Sequence, residues 1–205
     1  MKKSFIFSKI GVDNDLGGRG LDRQIGIASG ALALVVLYST IILCVALSPW
    51  FSWEANALSD FGHTYRSNVA PIFNFGLLLT GALMTVYSLL ALVEYAKKTA
   101  YFLIFSAFSL QLVATFNETF GRLHYYVSVL LFLSLLVVSL AFTIEKKSWL
   151  GLIVFLGAIG WGAYFAGIFE WGVAVPETIS ALSVTPWYLS ALLKAARPNA
   201  SSAGH

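Results

Sequence analysis

Six long apolar runs, each bounded by charge, proline or glycine, follow one another along this chain: Gln24–Ser48, Pro71–Val93, Ala100–Phe120, Leu123–Ile144, Trp149–Ile168 and Pro176–Ala196. A helix needs about 20 apolar residues to cross a hydrocarbon core about 30 Å thick, and each run meets that length. Rich in leucine, phenylalanine and glycine, the runs lack the two-residue alternation of barrel strands. Proline is tolerated in a first helical turn, where its missing N–H has no partner to lose, so Pro71 and Pro176 suit helix starts. With 58% hydrophobic and 11% charged residues, the chain could not solvate a globular surface. The expected fold is therefore all-α: a polytopic membrane protein with a six-transmembrane-helix bundle.

Six crossings put the N-terminus, the second and fourth connections and the C-terminus on one side. That side collects eleven of the thirteen cations, leaving only Arg66 and Arg122 on the other. The asymmetry predicts cytoplasmic termini and a multi-pass protein of the plasma membrane. The expected organisation is a flexible cytosolic arm over 1–23, a membrane domain over 24–196 and a polar cytosolic tail over 197–205. The apolar patch "SFIF" is too short for a cleavable signal, and charges follow it closely. A net charge of +3 resides in cytoplasmic segments, which face anionic lipid rather than nucleic acid. Cys44 is the only cysteine, so an internal disulfide and a multi-cysteine metal site are excluded.

The opposite side is acidic and concentrated in two segments. In "NALSDFGHTYRS", a helix over 50–62 would place Trp50, Trp53, Ala57, Leu58 and Phe61 on one stripe and Asn56, Ser59, Asp60 and His63 on another. That pattern describes a short amphipathic helix lying at the interface, its polar stripe facing either water or the mouth of the bundle. In "FNETFGRLHYY", Asn117, Glu118, Arg122 and His124 crowd one turn, where a Glu118–Arg122 pair could simply close the hairpin. Together with Arg66 and Asn74, these residues predict an outward-facing polar pocket rimmed by the first segment.

The segments "WFSWEANALSDFG", "IFNFGLLLTGALM" and "FNETFGRLHYYVSVLLFL" resemble the prokaryotic six-helix membrane protein family DUF998, from about Gln24 to Ala196. The resemblance is carried by Asn56, Ser59, Asp60, Asn74, Glu118 and His124; it implies fold and topology and brings no activity. In the layout of its polar site the chain is also distantly similar to the alkaline ceramidase and progestin and adipoQ receptor superfamily. It departs from that superfamily in having six helices and no paired histidines on the last one. A zinc ion, as cofactor, would have to draw on His63, His124, Asp60 and Glu118, since His205 belongs to the opposite side.

The same residues serve three kinds of protein. A binding module would hold a lipid headgroup or small polar ligand, with Arg66 and Arg122 as anion contacts. A lipid hydrolase or transferase would use Asp60 or Glu118 as base, His63 or His124 as proton carrier, and Arg122 for a phosphate or oxyanion. A structural or partner protein would let the polar groups satisfy one another. No charge falls at mid-depth, which argues against ion-coupled transport, and a retinal Schiff base has no lysine to form on. His63 and His124, at helix or loop ends, are poorly placed for haem. In the fifth run, Ala158, Gly162 and Ala166 recur every fourth residue, as do Ala163 and Gly167; this spacing suits close packing at the bundle centre or a homodimer seam.

Overall fold

The computed structural model describes residues 3–197, and side chains from Gly18 onward with Arg19 excepted. Its elements are helices, with no strand among the described residues: α1 (Lys3–Ala46), α2 (Ala70–Tyr95), α3 (Lys97–Thr115), α4 (Arg122–Lys146), α5 (Trp149–Phe165) and α6 (Ala174–Ala196). Four stretches, Gly20–Ala46, Ala70–Tyr95, Lys97–Thr115 and Arg122–Lys146, are long and apolar enough to cross a membrane. The fifth helix is shorter and the sixth more polar, yet both pack into the same bundle. Large apolar side chains such as Ile42, Phe75, Phe105, Leu133, Ile159 and Leu193 stand exposed around its outside. A surface of this kind belongs in lipid, and the chain is a helical membrane protein.

Several expected boundaries shift. From Lys3 onward the backbone of the expected arm is part of α1; Met1 and Lys2, like the tail beyond Arg197, lie outside the described residues. The third span stops at Thr115 instead of Phe120, because the chain turns at Asn117, whose side-chain Oδ1 accepts the Thr119 N–H at 3.1 Å. The interfacial helix expected over 50–62 shrinks to a 3-10 turn, Leu58–Gly62. Side chains capture the backbone donors that a helix would use: Asn56 Oδ1 takes the Ser52 N–H, Ser52 Oγ takes that of Glu54, and Asp60 Oδ2 takes that of Ala57.

The connections meet at the two ends of the bundle. At one end Gly172 N and Ala174 N donate to Trp53 O and Asn56 O, each at 2.9 Å, while Thr64 N donates to Thr119 Oγ1 at 2.9 Å. At the other end Glu145 Oε2 accepts the backbone N–H and the hydroxyl of Thr99 at 2.8 Å, satisfying donors at the start of α3. Lys146 there donates to Tyr95 O at 2.9 Å. Two cores fill the interior. Tyr87, Leu103, Phe142, Trp187 and Tyr188 form the one near this second end. Phe61, Phe73, Leu77 and Val127 belong to the one under the first.

Two glycines set the positions of α4, α5 and α6. A Cβ on Gly151 would lie 3.2 Å from the carbonyl carbon of Ser139, so the opening turn of α5 can rest on α4 only without a side chain there. A Cβ on Gly157 would lie 2.9 Å from Ser180 Cα, which is how closely α5 meets α6. Gly157→Leu is expected to cost about 1–3 kcal/mol through overpacking, read as a lowered thermal midpoint of the detergent-solubilised protein. Ala158, Gly162 and Ala166 stand on an exposed face of this helix instead of filling the bundle centre.

Candidate functional site

Leu58 and Phe61, three positions apart in the 3-10 turn, are both buried in the core of the first end. Phe61 sits against Phe51 and Phe73, with ring centroids at 4.6 and 5.8 Å. These anchors fix the turn, and Ser59 between them faces the interior space of the bundle. Asp60 braces the turn from its own side, accepting from Asn56 Nδ2 and Ala57 N at 2.9 Å each. Asp60→Ala removes the oxygen that accepts both bonds and is expected to cost about 1–2 kcal/mol, as loss of a helix cap does, measured as a drop in thermal midpoint.

Glu118 and His124 come together across the turn between α3 and α4. His124 is 5% exposed. Its Nδ1 lies 2.8 Å from the carbonyl of Phe116, which can only accept, so the proton sits on Nδ1. Nε2 lies 3.0 Å from Glu118 Oε2 and 3.2 Å from Ser128 Oγ, one turn further along α4. A carboxylate oxygen and a ring nitrogen at that separation hold one proton between them, carried by either partner. Ser59 Oγ donates to the same Glu118 oxygen at 3.3 Å.

Glu177 completes the group from the first turn of α6. It is 9% exposed, and its Oε2 accepts the Leu58 N–H at 2.6 Å, tying α6 to the turn below Ser59. Beside these residues α4 and α5 diverge. They touch where Gly151 meets Ser139, and further on a cleft of about 670 Å³ separates them. Ser59, Glu118, His124, Ser128, Glu177 and Ser180 line its polar part. Its walls are apolar: Phe132, Leu133 and Leu136 on α4 face Ala158, Trp161 and Phe165 on α5. Leu133 and Phe165, 56% and 72% exposed, form its lips towards the surroundings of the bundle. Trp161 stacks edge-on to Phe132 at 5.1 Å, and its buried indole N–H has no acceptor. A narrower apolar cavity of about 140 Å³ between α1, α2, α3, α4 and α6 shares Ser59, Ser128 and Glu177 with the cleft.

Of the residues singled out from the sequence, Ser59, Glu118 and His124 meet in the cleft. Asn56 and Asp60 brace the turn, Asn74 Nδ2 holds Gly62 O at 3.0 Å, and Asn117 Nδ2 reaches Thr64 Oγ1 at 3.2 Å. His63 points elsewhere, its Nδ1 accepting the Tyr65 N–H at 3.3 Å. Arg66 and Arg122 are exposed and line neither space. The alternative Glu118–Arg122 pair does not form: the chain turns at Gly121 and the Glu118 carboxylate instead meets His124 Nε2 at 3.0 Å. Among the described residues, no three His, Cys, Asp or Glu side chains are arranged to hold a metal ion, and the set expected for zinc is not assembled.

The sequence reading leaves Ser128, Ser180, Trp161 and Glu177 outside the candidate pocket. The signals were present: Ser128 follows His124 by four residues and Ser180 follows Glu177 by three, which puts each pair on one helix face. A family model described as a protein of unknown function (DUF998) matches residues 31–194. No curated protein and no solved structure matches the chain.

Proposed function

The chain belongs to the DUF998 family, and on that premise we propose that it binds an amphiphile, holding the polar head at Ser59, Glu118, His124 and Glu177 and laying the tail between α4 and α5. The observation that carries this reading is the cleft itself. Its volume of about 670 Å³ falls within the range of roughly 300–1,000 Å³ usual for ligand sites. Polar groups gather in one part of it, the walls are apolar, and its lips lie on the lipid-facing side of two helices. An indole N–H left without an acceptor is what a ligand oxygen would satisfy.

In the membrane we place this polar end outward. The opposite end carries Arg23, Lys97, Lys98, Lys146, Lys147, Lys194 and Arg197, the cation-rich side that faces the cytoplasm of a plasma membrane. The head then sits at headgroup depth, beside the partly exposed Trp50 and Trp53. Hydrolysis or group transfer is a second reading, favoured by one observation. Proton-bearing Nδ1 is locked on a carbonyl, so Nε2 of His124 can exchange a proton with whatever displaces Glu118. Binding ranks first because the polar part supplies acceptors and no cation to stabilise an oxyanion.

Native mass spectrometry of the protein released from mild detergent tests the binding reading. One amphiphile is expected to stay bound after extensive delipidation, in near-stoichiometric amount. A protein that flies bare at every collision energy and takes up no added lipid contradicts it.

A further inference from the structure

Resting on that binding reading, we infer the chemistry of the head: it is a hydrogen-bond-donating ammonium, and a phosphate does not fit. The polar part of the cleft offers mainly acceptors. Glu118 and Glu177 contribute carboxylates, and neither Lys nor Arg is among the lining residues. Two of the serine hydroxyl protons are already engaged, Ser59 donating to Glu118 at 3.3 Å and Ser180 to Pro176 O at 2.8 Å, while Ser128 Oγ lies 3.2 Å from His124 Nε2. These oxygens therefore present lone pairs to a ligand. The nearest cations by sequence, Arg66 and Arg122, are exposed outside the cleft.

A phosphate entering this space would meet the side chains of Glu118 and Glu177 and no guanidinium or ammonium, and His124 is already engaged with Glu118, so little offsets the desolvation of the anion. An ammonium has three N–H donors and a positive charge. It would satisfy Glu118 and Glu177 together with the serine lone pairs, replacing His124 as the donor to Glu118. Charge-assisted bonds of this kind are about twice as strong as neutral ones.

The test measures binding of dodecylammonium, dodecyltrimethylammonium and dodecyl phosphate to the full-length protein in phosphatidylcholine nanodiscs. Dodecylammonium is expected to bind saturably, the trimethyl analogue about tenfold more weakly because it has charge without donors, and the phosphate not at all. Glu118→Gln is expected to weaken dodecylammonium binding about tenfold with the thermal midpoint unchanged. Equal binding of phosphate and ammonium, or a Glu118→Gln protein that binds dodecylammonium as well as wild type, overturns the head assignment. If a bulky side chain in the apolar wall at Ala158 still abolishes that binding, the amphiphile reading survives alone; if no amphiphile binds at all, both fall. An amine-headed lipid carried through purification identifies the source as the membrane, whereas a bare protein that binds added dodecylammonium identifies an amine arriving from solution.

Discussion

Ala158→Trp is expected to lower the amount of retained amphiphile about tenfold or more while leaving the fold intact. Ala158 is exposed on α5 and lines the apolar wall opposite α4, so its side chain projects into the cleft without supporting the core. An indole there occupies space that the tail would need, and overfilling a shaped apolar site typically costs about 1–3 kcal/mol, where 1.4 kcal/mol is a factor of about ten in binding. Exposed substitutions of this kind change stability by only about 0.5 kcal/mol. Inside a bilayer the tail gains little from being apolar, because the surrounding lipid is equally apolar. Fit is therefore what the substitution removes. Retention by native mass spectrometry, paired with a melting curve on the same sample, checks both halves of the expectation. Undiminished retention would mean that the amphiphile binds elsewhere.

Glu177→Leu is expected to destabilise the protein through the loss of one buried tie. The carboxylate is buried and accepts the Leu58 N–H at 2.6 Å, the bond by which α6 holds the turn that presents Ser59. Leucine would fill the space and leave that N–H without a partner, at a cost of about 1–3 kcal/mol. In a chain of this length each kcal/mol lowers the thermal midpoint by about 2–4 °C, giving a drop of roughly 2–12 °C. Glu177→Gln keeps an acceptor of nearly the same shape and should recover most of the loss. The pair of melting curves separates lost hydrogen bonding from lost volume; a leucine variant as stable as wild type would show that the tie between α6 and the turn is dispensable.

The helices were legible because span length in lipid is a strong constraint: the runs beginning near Pro71 and Leu123 lie within one or two residues of α2 and α4 at their starts. The connections were less so. "NALSDFG" has helical spacing, but Ser, Asn and Asp next to free backbone donors compete with the helix, and here they won. Burial of Leu58 and Phe61 was visible as an apolar pair, and it is what orients Ser59. Arg66 and Arg122 are where the structure departs most from the site reading. Arg122 follows Glu118 by four residues, yet the hairpin turns at Gly121, with φ of 55°, so helical spacing does not apply across it. Glu177 carries no signal of its own in the sequence, because a helix dipole alone explains an acid in a first turn. Only the packing of α6 against the first connection showed that its carboxylate is enclosed.

The central claim, an acyl tail lodged between α4 and α5, can be tested at Trp161. A long-chain amine brominated midway along its tail quenches indoles that it touches, so fluorescence of wild type and Trp161→Phe should be titrated side by side. If the cleft is occupied, the phenylalanine variant loses the most strongly quenched share of the emission and its saturable quenching phase disappears. Identical quenching curves for the two proteins would place the tail outside the cleft and contradict the account.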